Sequence, residues 1–200
     1  MLSLLLGLIA KFFEIIDSYI YRFRCHLQGI TKHAEVLITG TPDSGKTSLA
    51  HKLREDSGRG QIRWRPGSIA TTAHLDYNKT RFTFFEPGGL AAPPIFGFLR
   101  SANGIIFMVD GKNYDKFMEA RIMLDLLLER DEIRGVPVAI FMNKIDSPLV
   151  PHPEEFLELM GFHNGELDRI RKERAIEVFF GTVIMGQGVQ EVIRWLEEHV

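Results

Sequence analysis

Gly40 to Thr47 reads Gly-Thr-Pro-Asp-Ser-Gly-Lys-Thr: two glycines separated by four residues, then Lys and Thr. Residues of these types at this spacing can cradle phosphate. The backbone N–H groups over Asp43, Ser44, Gly45, Lys46, Thr47 and Ser48 are placed to wrap a β-phosphate where a helix begins. Donors are unsatisfied there and the helix dipole favours negative charge. Lys46 would reach the β- and γ-oxygens, and the Thr47 hydroxyl would bind Mg²⁺. The bland alternative is a glycine-rich turn. It suits the context poorly, because an apolar run precedes the motif and a helical stretch follows it.

Asn143-Lys144-Ile145-Asp146 closes another apolar run. The Asp146 carboxylate can accept two hydrogen bonds from a guanine ring N–H and its exocyclic amine. Adenine has no matching donors, so this residue would reject it. Asn143 would help orient the base and Lys144 would cover its face. Alone these four letters fit a capped loop; after a phosphate cradle they imply guanine specificity. Glu86-Pro87-Gly88-Gly89 ends a third run. Glu86 would hold Mg²⁺ through water, and the Gly89 N–H would meet a γ-phosphate. Thr71 and Thr72 stand ahead of that run, and one of them would close a hydroxyl on the metal. Gly181-Thr182-Val183 follows the last apolar run, and the Thr182 and Val183 backbone amides could reach the guanine carbonyl. The cofactors implied are GTP or GDP and Mg²⁺.

These residues need a scaffold that brings loop ends together. Ala34–Thr39, Thr72–Tyr77, Thr80–Glu86, Gly104–Asp110, Val136–Met142 and Ala175–Phe180 read as six strands, with Asn78-Lys79 as a hairpin turn. Helices are expected over Ser44–Glu55, over Asn113–Arg130 with Asn113 as its cap, over Pro153–Met160 ended by Gly161, and over Val189–His199. This alternation predicts an α/β fold, a mostly parallel six-stranded sheet with helices on both faces. Every motif falls at a carboxyl strand end, where such sheets bind ligands. Ile95, Phe96, Phe98 and Leu99 form an apolar stretch that is either half core or a docking face.

The chain has 200 residues, 45% hydrophobic and 25% charged, with a formal net charge of -2. That balance suits a soluble globular core and gives no reason to expect a nucleic-acid partner. Cys25 is the single cysteine, so no intrachain disulfide can form and a reducing compartment is expected. Two parts are expected: an N-terminal helix and linker over 1–30, and the nucleotide domain over 31–200. From Met1 to Phe23, Ser3, Gly7, Lys11, Glu14 and Ser18 draw a narrow polar stripe along an otherwise apolar helix. Lys11, Glu14 and Asp17 interrupt a spanning run, so an in-plane amphipathic membrane helix fits best. A helix packed on its own core and a true span are the alternatives. Residue 2 is Leu rather than Gly, and Glu197-Glu198-His199-Val200 holds no prenylation cysteine, so the helix itself is the expected membrane contact.

With these residues in place, the chain resembles the Arf/Sar family of small GTPases, and within it the Sar type that starts COPII coat assembly. FTFFEPGG, NGIIFMVD, NKIDSP and EVFFGTVIMGQG followed by IRWL are similar to that subgroup's segments in order. The stretch from Pro148 to Arg174 sits where the subgroup carries an insert. The resemblance implies a small-GTPase fold and GTP hydrolysis, with Lys46 and Thr47 on phosphate and Mg²⁺. It implies Thr71 as the switch threonine and Asn143, Lys144 and Asp146 as base readers. It also implies coat subunits, an exchange factor and an activating protein as partners, at the cytoplasmic face of the endoplasmic reticulum, cycling with cytosol.

The departures are specific. Leu90 occupies the family position of the water-orienting Gln or His, so slow turnover is expected and no catalytic residue is assigned. Glu86 replaces the usual Asp, Ala91 to Leu99 lacks charge until Arg100, and the distance from the phosphate loop to Thr71 is a few residues longer. The Asp-Ser-Gly-Lys-Thr form of the loop is also similar to the signal-recognition-particle receptor β subunit, a membrane-anchored, GTP-bound scaffold.

Overall fold

The computed structural model describes residues 29–56, 70–87, 95–163 and 165–200, preceded by Ile16 and Tyr19 alone. The N-terminal helix expected over the first two dozen residues otherwise lies outside the described residues.

Six strands form one sheet: β1 Lys32–Gly40, β2 Ala70–Tyr77, β3 Thr80–Pro87, β4 Gly104–Asp110, β5 Val138–Asn143 and β6 Ile176–Phe180. Their order is β2-β3-β1-β4-β5-β6. Only the β2–β3 pair is antiparallel, joined through Asn78, whose φ of 49° suits the tight turn between Tyr77 and Thr80. The others run parallel, as the near-continuous apolar runs of β4 and β5 require. Strand order reverses at β1, which has β3 on one side and β4 on the other. Open α/β sheets bind ligands at such a switch point, and the Gly40–Thr47 loop follows β1 directly there.

Strand periodicity divides the core into two layers. Val36 and Ile38 of β1, with Ile106 and Met108 of β4, face helices α1 (Lys46–Asp56) and α6 (Val189–His199). Leu37, Ile105, Phe107 and Val109 point the other way. They meet α2 (Ile95–Ser101), α3 (Phe117–Leu128), α4 (Pro153–Leu159) and α5 (Glu166–Glu173). Among the described residues no helix is long and apolar enough to cross a membrane.

Three elements differ from the sequence expectation, and a fourth takes one of the two roles that the sequence allows. Asn113 does not cap α3: it makes no side-chain cap bond, and a 3₁₀ turn over Tyr114–Lys116 delays the helix to Phe117. Strand β1 starts two residues earlier than expected, because Thr31 and Lys32 amides already bond the Lys79 carbonyl. The expected insert holds a second helix, α5, whose short apolar side of Leu167 and Ile170 is too brief for a clear periodic signal. The stretch after Leu90 turns inward at Leu99, which is buried, and Phe98 packs on Phe85 with ring centroids 5.5 Å apart. Those two side chains serve the core rather than a free docking face.

Candidate nucleotide site

The loop from Gly40 to Thr47 is shaped by two glycines that no other residue replaces without strain. Gly40 has φ 127°, and a Cβ there would stand 2.0 Å from the Met108 carbonyl oxygen of β4. Gly45 has φ 96°, and its Cβ would meet the Asn143 amide nitrogen at 2.3 Å. Asp43 between them is left-handed too, at φ 60°. The loop is fastened from inside by the Ser44 hydroxyl, which donates to the Thr41 carbonyl at 2.7 Å. Lys46 opens α1 and is half-buried, its ammonium donating to the carbonyls of Thr41 at 2.6 Å and Gly40 at 3.3 Å. Burial pushes its pKa below the ordinary lysine value, and the charges of Glu86 and Asp43 partly offset that. Ser48 lies exposed in the first turn of α1.

Thr47 and Glu86 meet across the switch point. The Thr47 hydroxyl donates to Glu86 Oε1 at 2.5 Å. Glu86 Oε2 is buried and has no hydrogen-bond partner. Thr71 is the direct cross-strand partner of Glu86 in the antiparallel pair, so both side chains leave the same face of the sheet. With Ala73 and Leu75 that face is the one covered by α1. Three residues expected near the metal therefore converge. Gly89 and Leu90 lie outside the described residues.

On the other side of the loop, Asn143 is buried at the end of β5. Its Nδ2 donates to the Ser44 carbonyl at 2.8 Å, and its Oδ1 accepts the Val183 N–H at 2.9 Å. It ties the Gly40–Thr47 loop to the β6–α6 loop through two backbone groups. Lys144 is left-handed, at φ 70°, and its ammonium donates to the Asp43 carbonyl and to Asp110 Oδ2, both at 2.6 Å. Asp146 is exposed at the rim. The Thr182 hydroxyl bond holds its carboxyl below the usual carboxylate value against some desolvation, with help from its own backbone N–H and from Lys112 and Lys144.

The backbone amides of Thr182 and Val183 are already engaged: Thr182 N–H donates to the Gln187 carbonyl at 3.1 Å, and Val183 N–H to Asn143. A tight closure between Thr182 and Gln187 takes the first, and the Asn143 side chain takes the second. Thr182 acts through its hydroxyl on Asp146 instead. Asp110 was missed by motif reasoning. The signal was an acid ending the wholly buried strand GIIFMVD at its carboxyl end.

The arrangement offers a phosphate-sized nest with one ammonium and a metal-type hydroxyl–carboxylate pair, and beside it an exposed carboxylate flanked by a lysine stem. The model of the ADP-ribosylation factor family matches residues 20–200, nine-tenths of the chain. The chain belongs to the Arf family. It is therefore a small GTP-binding switch protein, of a family whose members bind GTP and GDP with Mg²⁺ and hydrolyse GTP. The geometry agrees with the metal. Glu86 Oε2 is an orphaned acceptor, costly unless a cation or its water satisfies it, beside a hydroxyl of the right kind. Among the described residues no three His, Cys, Asp or Glu gather as a metal cage. In this Arf-family site, Thr47 and Glu86 would hold the ion together with phosphate oxygens and water.

Proposed function

We propose that this Arf-family protein is a Sar-type switch, recruited to the endoplasmic reticulum membrane through its N-terminal helix to start COPII coat assembly. The observation that carries the reading is the run of segments from FTFFEPGG to IRWL in the Sar order, together with an N-terminal segment of amphipathic pattern. In this role Lys46 and the Asp43–Ser48 amides hold phosphate, and Thr47, Thr71 and Glu86 hold Mg²⁺, which neutralises phosphate charge when bound. Asp146 reads guanine, with Lys144 over the ring and Asn143 bracing both loops. Exchange of GDP for GTP rearranges the segments around Thr71 and Gly89, freeing the helix for lipid and a face for coat subunits.

Leu90 favours a second reading, a GTP-bound scaffold that rarely turns over, as in the signal-recognition-particle receptor β subunit. A leucine has no donor or acceptor with which to orient the attacking water. Two measurements separate the readings. The Sar-type role expects liposome flotation that is stronger with a non-hydrolysable GTP analogue than with GDP. Equal flotation in both states supports the scaffold. Single-turnover hydrolysis compares wild type with Leu90→His and Leu90→Gln. A wild type as fast as the restored variants overturns the assignment of slow turnover to Leu90.

A further inference from the structure

Asp110 lies beneath the guanine side of the site, outside every motif used above. It ends β4 and is buried. Gly111 follows it in a turn so close to β5 that an added Cβ would stand 2.7 Å from the Asn143 carbonyl oxygen. The Gly111 N–H donates to that same oxygen at 2.9 Å. This close approach puts the Asp110 carboxylate under Lys144. One carboxylate oxygen accepts the Lys112 N–H at 3.0 Å, which fixes the carboxylate plane. The other accepts the Lys144 ammonium at 2.6 Å. The ammonium's second partner is the Asp43 carbonyl of the phosphate loop, at the same distance.

We infer that Asp110 is a positioning residue for nucleotide retention, acting only through Lys144, whose stem it holds across the base pocket between Asp146 and the phosphate loop. The inference rests on the guanine-binding reading of this loop. Three observations converge. Lys144 adopts a left-handed backbone, φ 70°, which disfavours a lysine and must be compensated by its contacts. Its side chain, the most flexible kind, is pinned at its far end by a carboxylate and a carbonyl. A partly buried ion pair is weak ground for fold stability, since desolvation and solvent screening offset much of the attraction. One kept beside a ligand site is better explained by the geometry it imposes. The stem between the backbone and the pinned ammonium presents its methylenes as a fixed platform, so the base meets a side chain whose rotamers are already restricted.

The experiment measures dissociation of a fluorescent mant-GDP from the full chain in Mg²⁺ for wild type, Asp110→Asn, Lys144→Met and the double variant. Asn keeps an oxygen for the Lys112 N–H and removes the charge facing Lys144, so the turn stays intact. Asp110→Asn should speed release about tenfold, the scale of one charge-assisted hydrogen bond. In the Lys144→Met background the same change should add less than about twofold, since the group it acts through is gone. Release rates of mant-GDP and mant-IDP should rise together, because the platform touches the ring face and Asp146 alone reads the exocyclic amine. A tenfold effect that persists in the Lys144→Met background overturns the inference, as does an unchanged rate in Asp110→Asn. If Asp110→Asn lowers the melting temperature, Asp110→Ser, which also accepts the Lys112 N–H, replaces it in the same cycle and is judged by the same additivity. A wild type that fails to retain mant-GDP refutes the guanine-binding reading instead.

Discussion

Replacing Asn143 by alanine isolates the brace between the two nucleotide loops. The side chain is 3% exposed, and it satisfies the Ser44 carbonyl and the Val183 N–H, both in buried residues. Alanine deletes both bonds and leaves both backbone groups without a partner. Each orphaned buried group costs about 1–3 kcal/mol, so the pair amounts to roughly 2–6 kcal/mol. For a domain of this size about 1 kcal/mol moves the melting temperature by roughly 2–4 °C, so a loss of about 3 kcal/mol lowers it by about 6–12 °C. The loops lose their tie at the same time, so nucleotide release should accelerate by more than the melting shift alone would suggest. Urea unfolding followed by tryptophan fluorescence gives the first quantity, and mant-GDP release the second. Asn143→Asp keeps the acceptor for Val183 but sets a carboxylate against the Ser44 carbonyl, and should be no better than alanine. A melting temperature within about 1 °C of wild type in Asn143→Ala would mean that water replaces the brace at no cost, and the reasoning fails.

Three further outcomes follow from the geometry. Gly40→Ala drives a Cβ to 2.0 Å from the Met108 backbone oxygen at φ 127° and should cost more than about 3 kcal/mol, seen as lost soluble yield; a variant melting like wild type refutes the strain argument. Arg121 of α3 pairs with Asp125 on its own helix and reaches the insert through the Met160 carbonyl and Glu166, with its guanidinium 5.1 Å from the Phe162 ring centre. Arg121→Met keeps the aliphatic bulk and should cost about 2 kcal/mol, with faster hydrogen exchange across 161–173; exchange that stays slow there would place the insert's anchor elsewhere. Asp146 titrates below its ordinary value because of Thr182, so whatever its charge contributes is present above that value and lost only as pH falls through the lowered one. Thr182→Val returns the carboxyl upward, so acid-triggered mant-GDP release should begin at higher pH than in wild type; coincident profiles would remove Thr182 from the site.

The sheet and the phosphate loop were legible because each is written locally: an apolar run, a glycine pair, then helix-forming residues. Glu86 and Thr47 were legible as types, though their direct contact was not, since 39 residues separate them and only the parallel β1–β3 pairing joins them. Asp110 carries no motif of its own; its meaning appears only when Gly111 lets two strand ends touch. The partners of the Thr182 and Val183 amides were not legible for the opposite reason. A local turn to Gln187 claims one and a side chain 40 residues away claims the other, and neither competitor shows in a short pattern. The α5 helix escaped because a helix of 8 residues with two inward side chains carries too little periodicity to read.

Thr71 and Glu86 share one rung of the β2–β3 ladder, and among the described residues β2 has no second strand beside it. Under the proposed metal assignment, the ion is thus a rivet through the sheet's outermost rung. Its departure would loosen an edge that has only one row of hydrogen bonds and the cover of α1 to hold it. The amides of β2 then become a gauge of site occupancy. Their exchange with solvent should slow in proportion to how firmly the ion is seated, while those of β4 and β5, paired on both sides, register nothing.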